Sequence, residues 1–358
     1  MHTKDLIQSI QRISDANGIS GFEDEVLTVI REEGNGLGTF KEDRMRNLYL
    51  YRHENTSNKP IVQLNAHTDE VGFMVKAIRP DGMIEFITIG GWIPTNVPAH
   101  MVRIRNKDGV YVPAVVASKP PHFMSEAEKK APLEITNLVL DVGAVSSEEV
   151  INDYRIGIAA PVVPDVTCTY DEKHGLFIGK AFDCRIGCAS TLATLKELQG
   201  TNLKVNLVGD FSSQEEVGTR GSIVSANTIK ADLAIVFEGC PADDTVVPAY
   251  QAQTCLKKGP MLRHIDSRMI TNPRFQRYAL DLAQRLDIPV QEAVRSAGAT
   301  NGAPIHLAND GIPAIVIGVP VRYAHTHYGI SSLFDVEQAV RLAKEILLRI
   351  NEETIRSF

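Results

Sequence analysis

The sequence of 358 residues has no run of about 18 consecutive apolar residues, which excludes a membrane-spanning helix of ordinary length. It also lacks the uninterrupted apolar core of a signal peptide. Between Met1 and Asp15, the residues Lys4, Asp5, Gln8, Gln11 and Arg12 interrupt the apolar positions, and secretion is not expected. Cysteine is sparse and odd in number. The five residues, Cys168, Cys184, Cys188, Cys240 and Cys255, show no framework spacing, which fits free thiols in a reducing compartment and a cytoplasmic location. Concentrated basic charge is missing as well: the formal net charge is −7, and Lys129-Lys130 and Lys257-Lys258 are too short to bind a phosphate backbone. Neither a nucleic-acid partner nor a membrane partner is expected. What remains is ordinary globular material, 44% hydrophobic and 23% charged. Its length exceeds one compact domain, so two domains, or one domain with a large insertion, are expected.

Apolar residues recur every three or four positions from Lys4 to about Ile13 and from Glu23 to about Glu33, with a break at Gly18-Ile19-Ser20-Gly21, and predict two helices. Residues Pro60 to Ala66 read as a buried strand that delivers His67, Thr68 and Asp69. From about Val71 to Pro164 the texture changes to short β-rich runs, Met83 to Ile89, Met101 to Ile104 and Leu138 to Gly143, punctuated by glycine and proline. No long amphipathic helix is evident there, which predicts a small β-rich domain inserted into the first. After Asp183 an alternation resumes: a helix to about Leu198, strands at Val205–Phe211, Leu233–Phe237 and Ala314–Ile317, and helices near Pro273–Leu286 and Val336–Asn351. The fold class expected is α/β, a largely parallel or mixed sheet sandwiched by helices.

Ligands of such sheets gather beyond the carboxyl ends of the strands. The first strand ends at His67-x-Asp69, the next leads to Gln214-Glu215-Glu216, the third to Glu238 and the last, through Pro320, to His325 and His327. Asp183 starts a helix after the β-like stretch Leu176–Ala181. Each residue alone is more often a cap or a solvated turn residue than a ligand. Coincidence at four strand ends argues otherwise, and a donor set of His and carboxylate without Cys suits zinc, cobalt or manganese.

Four strings carry a resemblance: Ala66-His67-Thr68-Asp69-Glu70-Val71-Gly72, Gly179-Lys180-Ala181-Phe182-Asp183-Cys184-Arg185, Gln214-Glu215-Glu216-Val217-Gly218-Thr219-Arg220-Gly221 and Arg322-Tyr323-Ala324-His325-Thr326. In this order they resemble the M42 family of metallo-aminopeptidases, which includes glutamyl and tetrahedral (TET) aminopeptidases. The resemblance runs from Ser20-Gly21 to the last helix. It implies a catalytic domain of residues 1–71 and 165–358 and an inserted, barrel-like oligomerisation domain of residues 72–164. It further implies two divalent ions per subunit, zinc or cobalt, with manganese as a third candidate. One ion would be held by His67, Asp183 and Glu238, the other by Asp183, Glu216 and His325, with Asp183 bridging. Glu215 would be the general base and Asp69 would orient His67. The implied activity is removal of N-terminal residues from peptides by a homo-oligomer, a dodecamer built from dimers.

Some residues depart from the family pattern or read two ways. Glu238 stands where Asp is common, and Asn301 in Gly298-Ala299-Thr300-Asn301-Gly302 replaces an acid; if that acid binds the substrate ammonium, the attraction weakens by one charge. His327 competes with His325, although the Arg-Tyr-x-His-Thr match selects His325. Cys184 and Cys188, four apart on a helix, are expected to be packed thiols, and His122 is either a loop histidine or a contact to the site. Arg263, in the run Met261–Asp266, is either an exposed strand arginine or a recognition group for Glu or Asp at the substrate N-terminus. The competing activities are a dinuclear carboxypeptidase or amidohydrolase, a glycoside hydrolase using two carboxylates, and a non-catalytic metal-binding or assembly protein. Glu215 argues against the last, since a structural metal site does not require it.

Overall fold

The structure, a computed structural model, describes residues 2–56 and 58–358. Helices α1 (Thr3–Asp15) and α2 (Asp24–Glu33) each bury one apolar stripe, Leu6, Ile10 and Ile13 on the first and Val26, Leu27 and Ile30 on the second. Strands β1 (Gly38–Glu42), β2 (Leu48–Arg52) and β3 (Ile61–His67) follow. The next six strands are β4 (Gly72–Ile78), β5 (Ile84–Ile89), β6 (Met101–Arg105), β7 (Tyr111–Ala117), β8 (Val139–Asp141) and β9 (Pro161–Pro164). They close into a barrel in the order β4-β5-β8-β7-β6-β9. Alternate residues such as Phe73, Val75, Val102, Ile104, Ala114 and Val116 fill its interior. The α-helix of the segment, α3 (Glu126–Lys130), is held by a capping box between Ser125 and Glu128.

The chain then forms β10 (Thr169–Asp171), β11 (Leu176–Gly179), α4 (Phe182–Glu197), β12 (Asn206–Ser212), α5 (Arg220–Ile229) and β13 (Leu233–Pro241). It ends with β14 (Met261–Ile265), α6 (Pro273–Arg285), β15 (Gln291–Val294), α7 (Gly302–Ile305), β16 (Ala314–Val321), β17 (Gly329–Ser332) and α8 (Leu333–Arg349), followed by a short terminal turn of helix. Eight strands make the main sheet, β1-β2-β12-β3-β13-β16-β14-β15, with β12, β3, β13 and β16 mutually parallel and antiparallel pairings toward both edges. The four parallel strands are buried on both faces, as near-continuous apolar runs require. Along β13, Leu233, Ile235 and Phe237 face the helices α1, α4, α6 and α8, whereas Ala234 and Val236 face α5 and α7. The mixed α/β sandwich with a barrel is the architecture the sequence predicts.

The β-like stretch Leu176–Ala181 is a strand as far as Gly179, and β11 pairs with β10 and β17 in a separate antiparallel sheet. One local expectation is corrected. Glu238 does not follow its strand but lies inside it, because the ladder with β16 continues to Pro241 opposite Val321.

Just past β3, Glu70 ties several segments together. Its Oε1 accepts from Lys180 Nζ at 2.6 Å, Arg185 Nη2 at 3.2 Å and the Gly18 backbone N–H at 3.0 Å, all buried. Burial, with the charges of Arg185 and Arg103 adding to it, lowers the Lys180 amine to about 8 even against the pull of Glu70. Glu70→Gln leaves two buried cations without their carboxylate and is expected to destabilise the fold by about 3–5 kcal/mol, measured by denaturant unfolding. A loss below about 1 kcal/mol would show that the triad is not held as charged groups.

Candidate active site

The site lies at the carboxyl ends of the parallel strands. His67, the last residue of β3, stands level with Ser212 of β12. The chain then turns and buries Asp69, whose carboxylate accepts the backbone N–H of Glu215 at 2.9 Å, that of Glu216 at 3.0 Å and the Ser20 hydroxyl at 2.5 Å. Asp69 thus fixes the turn that carries the adjacent glutamates, in addition to its expected role beside His67. His67 Nδ1 lies 3.1 Å from the Asp69 carbonyl and 3.4 Å from its carboxylate, so the carbonyl is the closer orienting group. Asp183 arrives at the first turn of α4, where it and Cys184 have non-helical backbone angles. Gly239 makes this approach possible: a Cβ there would stand 2.4 Å from the Phe182 carbonyl and 2.8 Å from Asp183 Cα. No other residue fits at that separation.

The expected residues converge. Each carboxylate oxygen of Asp183 meets a different histidine, Oδ1 at 3.0 Å from His67 Nε2 and Oδ2 at 3.3 Å from His325 Nε2. His67 Nε2 also lies 3.4 Å from Glu238 and 3.9 Å from Glu215, and His325 Nε2 lies 3.3 Å from Glu216. His327, the rival of His325, turns the other way and lies buried among rings of the barrel segment.

Four carboxylates share this space with two imidazoles. Burial pushes the Glu215 carboxyl up to about 8, against the pull of His67 and with Glu238 and Asp183 adding to the rise. Burial followed by the charge of Asp183 likewise raises Glu216 well above the carboxylate range, and raises Glu238. For Asp183 burial acts in the same direction, but the hydrogen bonds from His325 and His67 outweigh it and hold the carboxyl low. The imidazoles respond in kind: burial opposes protonation of His325, yet Asp183 and Glu216 draw it up to about 10. The cluster is short of positive charge, and Glu216 Oε1 is buried without a protein partner.

A divalent ion fits that deficit and the donor types. Two ion-sized groupings occur among the described residues, His67 with Asp183 and Glu216, and His67 with Cys184 and Glu238. Neither is an expected set: the first holds His67 in place of His325, and the second holds Cys184 in place of Asp183. The Cys184 thiol donates to the Phe237 carbonyl at 3.2 Å and that of Cys188 to the His67 carbonyl at 3.0 Å, so both serve as packed thiols. The closer contacts of His67 to Asp183 and Glu238 describe the donor geometry better.

A cavity of about 640 Å³ opens onto Asp183, Glu215, Glu216, Glu238 and His325. Arg263 lines it but is not an exposed strand residue: it is 6% exposed and its guanidinium contacts Asp266 at 3.1 Å and Cys240 Sγ at 3.1 Å. Inward-facing β14 packs it beneath the site, a placement that a flanking apolar pattern does not distinguish from exposure. Arg268, Arg295 and Cys240 share the wall and were not legible, because they reach it from separate loops and the strand end. Asn301 is buried and absent from the cavity lining, where Gly298 and Ala299 stand instead, and His122 is exposed on a short turn away from that lining.

The mixed α/β sheet and its ring of histidines and carboxylates form a site with the donor set of a metallohydrolase. Residues 47–342 match the family model of the M42 glutamyl aminopeptidases, and the chain belongs to the M42 peptidase family: it is an aminopeptidase, a hydrolase of peptide bonds. It is 32% identical over 363 residues to the FrvX protein of Escherichia coli (strain K12), covering 98% of each chain. It is 29% identical over 352 residues to the glutamyl aminopeptidase of Lactococcus lactis subsp. cremoris (strain MG1363), again covering 98% of each. The crystal structure of the TET aminopeptidase from the marine sediment archaeon Thaumarchaeota archaeon SCGC AB-539-E09 superposes with a TM-score of 0.94 at 32% identity, covering 98% of this chain and 99% of that one. Among the described residues, no helix is long and apolar enough to cross a membrane.

Proposed function

We propose that two divalent ions, zinc or cobalt and alternatively manganese, occupy this site, with Asp183 bridging them. The observation that carries the reading is the approach of His67 and His325 to opposite oxygens of one carboxylate. Glu238 completes the His67 side and Glu216 the His325 side. Divalent ions held there would polarise the scissile carbonyl and acidify the attacking water. Glu215, whose carboxylate is the loosest of the His67 contacts at 3.9 Å, takes the proton as the water oxygen attacks the carbonyl carbon. It returns that proton to the amine nitrogen as the C–N bond breaks. Asp69 holds the Glu215 and Glu216 backbones at the spacing this division needs. Zinc, cobalt and manganese, added singly to metal-stripped protein with ion content measured, test the reading. Full activity with one ion per chain would sink the dinuclear form.

The cavity wall supports an acidic preference. Three arginines line it; Arg263 faces Asp266, Arg295 lies 2.9 Å from Asp243, and Arg268 has no ion-pair partner among the described residues. One positive charge is left over for a Glu or Asp side chain at the substrate N-terminus. Arg268→Ala, which removes the unpaired charge, is expected to lower kcat/KM on Glu- and Asp-anilides by about 10–100-fold, the worth of one charge-assisted hydrogen bond, and to spare the Leu-anilide; Arg263→Ala, which frees the Asp266 carboxylate in the same wall, is expected to act in the same direction. Equal loss on all three, or no acidic preference in the parent enzyme, removes the assignment.

The same proposal takes residues 1–71 and 165–358 as the catalytic domain and 72–164 as the inserted oligomerisation domain, in a cytoplasmic homo-oligomer, a dodecamer built from dimers, acting on peptides. Exposed Met101 lies opposite exposed Val115 across β6 and β7, with Ile87 and Ile93 also exposed on the barrel segment, an apolar face suited to subunit contact. Light-scattering mass of the purified protein tests it, and a monomer at micromolar concentration would refute it.

A further inference from the structure

Two residues past His325 the chain buries His327 to 1% exposure, and neither ring nitrogen has a protein hydrogen-bond partner among the described residues. A histidine that forgoes both hydrogen bonds is used for its faces. Its ring stacks on His100 with centroids 4.0 Å apart and planes 3° from parallel, and lies 5.0 Å from Trp92 and 6.2 Å from Phe73. All three partners belong to the barrel segment. Beside Trp92, Gly91 touches the site directly: a Cβ there would stand 3.0 Å from His325 Nδ1.

The loop between these contacts carries backbone strain, although Thr326 ties Tyr323 and Tyr328 together within it. Tyr323 and His325 have φ of 62° and 59°, left-handed values that a residue with a Cβ adopts only where its surroundings impose them. One end is anchored by Arg322, whose guanidinium grips Asp244 at 3.0 and 2.8 Å. His327 anchors the other.

We propose that the barrel segment clamps the His325 loop through the His327 stack and the Gly91 contact, so that barrel docking sets the affinity of the half-site built from His325 and Glu216. The inference rests on the reading of His325 as a metal ligand and makes His327 a positioning residue. Because the stack uses ring faces and not nitrogens, phenylalanine replaces His327 and alanine does not. Gly91→Ala drives a methyl group at the imidazole and reproduces the defect from the barrel side.

Stripped protein titrated with Zn2+ against a chromophoric chelator tests this, with ion content measured and folding checked by circular dichroism. His327→Ala and Gly91→Ala are expected to weaken one of two ions by about 10–100-fold, the range for residues that orient ligands, and to leave the other unchanged. His327→Phe keeps both. A general loss of stability would weaken both ions together, so the selectivity identifies the clamp. Wild-type affinity for both ions in His327→Ala and Gly91→Ala, or a His327→Phe variant as weak as His327→Ala, overturns it. His325→Ala separates the two levels: two ions bound at wild-type affinity there would remove the ligand reading itself. If His327→Ala does not fold, Gly91→Ala and His327→Phe still decide.

Discussion

Glu215→Gln is expected to lower kcat on an aminoacyl anilide by about 10²–10⁴-fold, the usual share of a general base, while ion content stays at the parent level. The substitution is nearly isosteric and removes the proton acceptor. The backbone at this position is held by its N–H donating to Asp69, which is independent of the side chain, so Glu216 and the turn stay in place. Contacts at 3.0 and 3.4 Å tie Asp183 and Glu238 to His67, whereas Glu215 stands off at 3.9 Å while lining the cavity. A carboxylate placed so has freedom to take a proton from water and hand it to the amine. The loss should fall on kcat with KM little changed, because the interaction removed is made during bond breaking. Steady-state kinetics paired with elemental analysis read both quantities. A variant that is fully active refutes the base role, and one that loses an ion along with activity makes Glu215 a ligand instead.

The central strands were legible because burial on both faces leaves an unmistakable apolar run, as in Ala314–Ile317 and Leu233–Phe237. The site followed from them, since His67, Glu215, Glu216 and His325 all lie at or just beyond carboxyl ends of parallel strands. What escaped depends on partners far away in the chain. Glu238 looked like a turn residue because the partner that extends its strand is some eighty positions later, at Gly318. Lys180, Arg185 and Glu70 form one buried ionic group although 110 and 115 residues separate the cations from the carboxylate. Arg263 reads the same in sequence whether its strand faces solvent or a cavity; only the assembled loops around Arg268 and Arg295 decide. The order of barrel closure is of the same kind, set by pairings such as β5 with β8 that no local period announces.

Asp183→Ala is expected to abolish binding of both ions together and to reduce kcat/KM by at least about 10⁴-fold, equivalent to about 5 kcal/mol of lost transition-state stabilisation. Glu238→Ala and His325→Ala should each weaken mainly one ion. The distinction follows from geometry: Asp183 meets His67 through one oxygen and His325 through the other, whereas Glu238 stands beside His67 and Glu216 beside His325. Folding need not suffer. Asp183 is among the charges that push Glu215, Glu216 and Glu238 upward, so its removal relieves repulsion in the ion-free protein. Calorimetry with and without Zn2+ reads the outcome without reference to activity. An ion that binds only the folded chain raises stability by about 2.7 kcal/mol at a hundred times its dissociation constant, and the parent protein should show that rise. Asp183→Ala should show none, and a variant that retains one ion at parental affinity would mean that the carboxylate serves a single ion and that the bridge lies elsewhere.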